Sequence, residues 1–403
     1  MAQVKEAFPR QERVWHIFLI FLRLGLTAFG GPVAHLGYFR DEFVTRRRWL
    51  TERSYVDLVA LCQFLPGPAS SQVGMALGLS RGGYLGALAA WAGFTLPSAV
   101  VLIVLAMGLS SHGYVVVPGV LHGLKVVVVA VVAQAVWSMA RNLCPDAVRA
   151  SMMIVTACFV LLVPSVWGQM AVLVLAGLAG LWLFMPTDIG VHDPLPVRIS
   201  HRAGVFWLSC FFVLLIVLPA LALPGRLMAE FNVFYRAGSL VFGGGHVVLP
   251  LLQTAVVPSG WVSNEIFLAG YGITQAMPGP LFTFAAFLGA SMRQSPSGWL
   301  GGLVCLLAIF LPSFLLVTGA LPLWAGLRHN RRIQAALMGV NAAVVGLLLA
   351  ALYQPVWVNA IGQTRDFALA LLALLALVVW KLPPWLVVLG SGGAGWLLSR
   401  IMI

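Results

Sequence analysis

The sequence predicts an all-α, polytopic membrane protein made of two homologous repeats. Three observations carry that prediction. The chain is 61% hydrophobic and only 9% charged, more apolar surface than a soluble core needs. Apolar runs recur along it at lengths of about 18 residues or more, the length that crosses a bilayer as a helix. And the frame Gln63-Phe64-Leu65-Pro66-Gly67-Pro68 returns 212 residues later as Gln275-Ala276-Met277-Pro278-Gly279-Pro280.

The repeat extends well beyond that frame. Gly25, Phe29, Gly30 and Gly31 match Gly238, Phe242, Gly243 and Gly244 at an offset of 213, and Arg23 matches Arg236 at the same offset. Trp49 matches Trp261, Leu96-Pro97-Ser98 matches Leu311-Pro312-Ser313, and Gly123 matches Gly339. An ordered series of this kind marks an internal duplication, not a chance match.

Taken in order, residues 1–13 form a polar lead containing Lys5, Arg10 and Arg13. No cleavable signal pattern is visible, so the first apolar segment is expected to be retained. The run 14–29 is interrupted by Arg23 and ended by Gly30-Gly31-Pro32, and a short piece at 33–39 follows. A charged loop, 40–53, contains Arg46-Arg47-Arg48. Thr51 is placed to cap the next helix. That helix carries Asp57 and Gln63 and stops at Pro66-Gly67-Pro68, because proline removes a donor and glycine relaxes the backbone. A second piece covers 69–79. Full spans are expected near 84–109, 115–140, 148–163 and 166–184. A polar linker at 186–203 leads to a lone span at 204–223. The second copy has a broken segment at 228–251, a break at 278–280, and spans near 298–320, 333–353, 366–382 and 385–401.

The total is thirteen segments, arranged six, one, six. The expected units are a repeat over 1–185, a linker with its connecting span over 186–227, and a second repeat over 228–403. One extra crossing between repeats of equal parity inverts the second copy, a transporter architecture. Charge distribution favours reading the broken segments as re-entrant hairpins. That choice keeps 1–13, 40–53, Arg141, Arg149, Arg198, Arg202, Arg328, Arg331 and Arg332 on the cytoplasmic side. The loop 253–264, without Lys or Arg, then falls outside. On this reading the N-terminus is cytoplasmic and the C-terminus is outside.

The breaks supply the candidate substrate site. Helix N-termini that restart after Gly30-Gly31-Pro32, Pro66-Gly67-Pro68, Gly243-Gly244-Gly245 and Pro278-Gly279-Pro280 offer unpaired N–H groups and a favourable dipole to an anion. Ser70 and Ser71 add hydroxyls in the first copy, and Thr283 in the second; Gln63 and Gln275 sit one turn ahead of the breaks. The structural alternative is a proline kink satisfied locally. Arg23 and Arg236 read as two guanidinium forks around a dianion, or as snorkelling side chains. Lys125 is a third basic residue in an apolar run, but its repeat mate is Asn341. His35 and His246 follow the glycine turns and suit a proton relay or a structural role. Asp57 is the one carboxylate near the site, and its mate is Ala269, so paired carboxylates are not supported.

Several classes are excluded by what the residues do not form. No His/Cys/Asp/Glu cluster has metal-ligand spacing, no nucleotide loop follows a strand pattern, and no nucleic-acid motif occurs. No cofactor is implied. Cys62, Cys144, Cys158, Cys210 and Cys305 lack pairing motifs and read as small buried hydrophobes. An integral-membrane enzyme would want clustered His, Asp or Glu on one surface. A receptor or structural subunit would not need duplicated breaks. The net charge of +12 fits anion attraction or simple loop topology.

Phe29-Gly30-Gly31-Pro32, the stretch from Arg46 to Leu50, and Gln63-Phe64-Leu65-Pro66-Gly67-Pro68 resemble the chromate transporter (CHR) family in its long, two-domain form. So do Phe242-Gly243-Gly244-Gly245-His246 and Gln275-Ala276-Met277-Pro278-Gly279-Pro280. The resemblance covers nearly the whole chain. It implies a multi-pass protein of a bacterial-type inner membrane that exports chromate, confers resistance to it and draws on the proton-motive force, alone or as an oligomer. Chromate is a tetrahedral dianion like sulfate, so sulfate or another oxyanion, moved in either direction, stays open as substrate.

Overall fold

The computed structural model describes residues 12–111, 118–163, 165–185, 199–220, 225–242, 245–294, 296–324 and 330–401. Among these all regular structure is helical. The first half begins with α1 (Val14–Thr27). Gly30, at φ +102°, turns the chain into α2 (Gly31–Arg40), with Pro32 in its first turn. A π-helical turn, Asp41–Arg46, leads toward α3 (Glu52–Phe64). Thr51 caps α3 as expected, its side chain accepting from the Ser54 N–H. Next, α4 (Ala69–Ser111) bends at Gly82 and Gly83 into two arms. The half closes with α5 (Pro118–Leu143), α6 (Ala147–Leu162) and α7 (Val166–Leu183).

A lone helix, α8 (His201–Ala220), leads to the second half. There α9 (Arg226–Leu240), α10 (Val248–Val256), α11 (Asn264–Gln275) and α12 (Phe284–Ala290) correspond to α1, α2, α3 and the first arm of α4. The remaining helices are α13 (Gly298–Ala320), α14 (Arg331–Ala351), α15 (Thr364–Val378) and α16 (Pro384–Ile401).

The broken segments return to the end from which they start. The Arg81 guanidinium donates to the Trp49 carbonyl, and the Glu12 N–H donates to the Arg81 carbonyl at 3.0 Å. Arg40 and Glu52 pair at 2.6 Å. These contacts gather the bases of two hairpins, α1–α2 and α3 with the first arm of α4. In the second half the Arg293 N–H donates to the Trp261 carbonyl at 3.2 Å. Arg226 donates to Gln294 and lies 5.4 Å over the Trp261 ring. The pairs α9–α10 and α11–α12 are therefore hairpins too.

The long helices that follow the hairpins pack on each other. Gly298 lies against Met107 and Gly302 against Ile103, while Trp91 packs on Phe310 with ring centroids 5.8 Å apart. The second arm of α4 and its mate α13 thus run antiparallel through the core. The two halves also exchange helices. Gly123 of α5 sits directly on the Ser391 carbonyl of α16, and Gly339 of α14 sits on the Ala176 carbonyl of α7. Missing side chains let these backbones close in, as at other membrane helix crossings. Further pairings follow the same exchange, α15 on α5 and α6 on α14.

Among the described residues five helices are long and apolar enough to cross a membrane: α4, α5, α8, α13 and α14. Large apolar side chains such as Leu162, Trp182, Ile216 and Val379 are exposed. Water would penalise that surface and lipid does not. The last four helices start within two residues of the sequence expectation. Not all five cysteines are buried hydrophobes. Cys62, Cys144 and Cys305 are buried, whereas Cys158 is exposed on α6, because that face of a peripheral helix is apolar towards lipid and not towards the core.

Candidate functional site

Each Pro-Gly-Pro break forms where the sequence places it. In the first half α3 ends at Phe64, Leu65 is extended, Gly67 adopts φ +123°, and α4 restarts at Ala69. In the second half α11 ends at Gln275, Gly279 adopts φ +87°, and a 3-10 turn, Leu281–Thr283, opens α12. The two breaks are then tied crosswise. The Gly67 N–H donates to the Val241 carbonyl at 2.6 Å, and the Gly279 N–H donates to the Ala28 carbonyl at 3.0 Å. Ala28 and Val241 are repeat mates that end α1 and α9. Each half's break is thus held by the end of the other half's first helix, around a local two-fold relation.

Side chains close around this cross. Ser98 Oγ donates to the Pro278 carbonyl. Its mate Ser313, fully buried on α13, faces Gly67. Gln72 Nε2 donates to the Pro66 carbonyl at 2.6 Å. The Gln72 N–H bonds the Pro68 carbonyl at 3.0 Å, so the N–H groups just ahead of it in α4 have no acceptor within the helix.

The other expected residues take distinct places. His35 is buried; its Nε2 contacts the Ala28 carbonyl at 3.1 Å and its Nδ1 lies 3.5 Å from Ser70 Oγ. Only an N–H can donate to that carbonyl, so Nε2 carries the proton. His246 Nδ1 meets the Tyr271 hydroxyl at 2.8 Å. Asp57 is buried in α3 and accepts from Trp324 Nε1 at 3.2 Å. Lys125 points to Glu265 at 3.6 Å, away from the cross. Pro280 is spent locally, its carbonyl accepting from the Thr283 N–H and hydroxyl at 3.0 and 2.8 Å.

Arg23 is exposed and Arg236 half-buried. Each stands five residues before the carbonyl that holds the opposite break, about 7.5 Å along a helix. Gly30 and Gly31 both have positive φ and open α2. Gly243 and Gly244 lie outside the described residues. Gln63 is exposed at one end of a groove of about 340 Å³ between α2 and α3. Arg40, Glu52 and Tyr55 also line it, so the groove runs from the hairpin base towards the first break.

Chemically this is a site of hydroxyl, amide and backbone donors at restarted helices. Such donors suit an anion. Among the described residues no group of three His, Cys, Asp or Glu could hold a metal. Sequence reasoning missed Gln72 and Ser313 as site residues. The duplicated Leu-Pro-Ser triplet was a visible signal for Ser98 and Ser313; Gln72 had none, since its mate is Phe284.

Comparison with known proteins finds relatives along both halves of the chain. The family model described as "Chromate transporter" matches residues 15–181 and 228–396. The chain is 28% identical to a chromate transport protein of Pseudomonas aeruginosa, over 97% of this chain and 94% of that one. It is 29% identical to a chromate transport protein of Cupriavidus metallidurans, over 90% and 86% of the two chains. An uncharacterized transporter of Bacillus subtilis, YwrA, is 28% identical over 40% of this chain and 90% of its own length, the size of one half. No solved structure matches the chain.

Proposed function

The chain belongs to the chromate transporter family, and from that premise we propose that it is a secondary transporter of a tetrahedral oxyanion, chromate foremost. It moves the anion outward across a bacterial-type inner membrane and so confers chromate resistance. The observation that carries this reading is the crosswise pairing of Gly67 with Val241 and of Gly279 with Ala28. That pairing brings two broken helices, one from each half, to a common point inside the bundle. Broken helices that meet between repeats are where such transporters bind substrate.

The repeats are inverted in this reading, six segments each around the connecting helix α8. The antiparallel course of α4 and α13 supports it. Arg23 and Arg236 flank the anion from the two repeats, and Gly30, Gly31, Gly243 and Gly244 let backbone approach it. His35, His246 and Asp57 are the groups through which protons would couple. Sulfate shares the charge and geometry of chromate and competes for the same donors.

The test is flux of isotopically labelled chromate into inverted vesicles, with sulfate as competitor and a protonophore to collapse the gradient. Saturable uptake that sulfate inhibits and the protonophore abolishes is the expected result. Uptake no greater than in vesicles lacking the protein would overturn the assignment. Inversion has a separate test in a cysteine-free background: cysteines placed at Ser259 and Arg331 label from opposite faces. Labelling of both from one side would refute it.

A further inference from the structure

The two breaks share a frame but not a set of side chains. In the second half Ser98 Oγ is bound to the Pro278 carbonyl. The repeat counterpart of that bond would join Ser313 to the Pro66 carbonyl. There, however, Gln72 Nε2 has taken the carbonyl at 2.6 Å. Ser313 Oγ is left fully buried with no hydrogen-bond partner. It is also aimed at the break: a Cβ on Gly67 would stand 2.5 Å from Ser313 Oγ and 2.7 Å from Gln72 Nε2. Gln72 Oε1 and Ser71 Oγ, in the first turn of α4, are likewise buried without partners. The matching positions of the second half hold Thr283, whose hydroxyl is bound to the Pro280 carbonyl, and Phe284.

We propose that Ser71, Gln72 and Ser313, with the N–H groups that open α4, form an oxyanion subsite at the first-half break, between the flanking Arg23 and Arg236. The second-half break is its structural counterpart, braced by Ser98 and lined by Phe282 and Phe284. This inference rests on the reading of the chain as an oxyanion transporter. The donors of this subsite are neutral, the charge being left to Arg23 and Arg236, and neutral hydroxyls and amides at a helix N-terminus suit a fully deprotonated tetrahedral dianion. When an anion arrives, Gln72 turns to it from the Pro66 carbonyl, and α13 parts from the Gly67 turn, which as packed leaves no room for even one added carbon. Because Ser71 and Gln72 belong to α4 and Ser313 to α13, the bound anion bridges the two halves. Its arrival and release therefore act on the packing between the repeats.

The experiment measures chromate uptake into inverted vesicles at matched protein levels for Ser71→Ala, Ser313→Ala, Ser313→Thr and Thr283→Val. Loss of one donor from each Ala variant is expected to raise the half-saturation concentration about tenfold with little change in maximal rate. Ser313→Thr keeps the hydroxyl and stays within a few-fold of wild type, and Thr283→Val leaves half-saturation unchanged. If both Ala variants keep the wild-type half-saturation while wild type transports, the subsite is wrong. An effect confined to Thr283→Val overturns it equally. A wild-type protein that carries neither chromate nor sulfate would instead refute the transporter reading itself.

Discussion

Replacing Gly67 by Ala tests whether the crossed breaks are the mechanical centre of the molecule. Gly67 has φ +123°, a region that costs a residue with a side chain roughly 1–3 kcal/mol. The added Cβ would also stand 2.5 Å from Ser313 Oγ and 2.7 Å from Gln72 Nε2. Both separations are below any ordinary contact, so the turn or α13 must shift. That shift weakens the 2.6 Å bond from the Gly67 N–H to Val241, worth about 0.5–1.5 kcal/mol. Together the two effects come to roughly 1.5–4.5 kcal/mol. Gly31→Ala is the matched control: φ is +77°, but nothing lies within 4 Å of its added Cβ. It carries only backbone strain, roughly 1–2 kcal/mol. Gly279→Ala falls between them, with Ser98 Oγ at 2.9 Å and the Phe94 carbonyl at 3.0 Å from the new atom. The assay is the temperature of half-inactivation of purified protein in detergent, read beside chromate flux. The expected order of loss is Gly67 greatest, then Gly279, then Gly31. A Gly67→Ala protein no less stable than Gly31→Ala would refute a tight cross between the breaks.

Leu in place of Gly123 or Gly339 drives a side chain into the facing carbonyl of Ser391 or Ala176. Both variants are expected to lose folded protein to a similar degree in size-exclusion profiles, because the two crossings are equivalent; tolerance of either would break that equivalence. For Arg23 and Arg236, Lys keeps the charge but loses the planar fork. The Lys variants are expected to raise the half-saturation for chromate and the Ala variants to abolish flux, whereas free substitution by Lys would reduce both arginines to snorkelling. Burial pushes the Glu42 carboxyl up, but the hydrogen bond and charge of Arg47, then Arg46 and Arg23, outweigh it and hold the group below its ordinary value. A lowered folded-state value gives stability that is present above the unfolded carboxylate range and lost as pH falls through the folded one. Wild type should therefore lose thermal stability in acid more steeply than Glu42→Gln, and parallel curves would exclude Glu42 as a contributor.

Local chemistry made much of this architecture legible in the sequence. Proline and glycine act on their own backbone, so the breaks at Pro66-Gly67-Pro68 and Pro278-Gly279-Pro280 could be placed to the residue. The Thr51 cap and the turn at Gly30 follow from equally local rules. Duplication was legible for a different reason: both copies solve the same packing problem, so Gly25 and Gly238, or Gly123 and Gly339, recur where backbones must touch. The charges of the loops also favoured hairpins, and the pairings of Trp49 with Arg81 and Trp261 with Arg293 agree with that choice.

Tertiary structure decided what no single copy encodes. The partner of Gly67 is the Val241 carbonyl, 174 residues away in the chain, and a backbone carbonyl leaves no trace in residue identity. The exchange of α7 and α16 between halves depends on which apolar faces meet, and apolar faces in a membrane look alike from composition. Ser98 and Ser313 carry the same residue at the same repeat position, yet one is bonded and the other is not. The difference comes from Gln72, on another helix, reaching the Pro66 carbonyl first. Sequence alone thus determined where the helices break, because that is a property of each backbone segment. Which donors remain free at a break was settled only when both halves folded against each other, because a hydrogen-bond acceptor taken by one side chain is lost to its competitor.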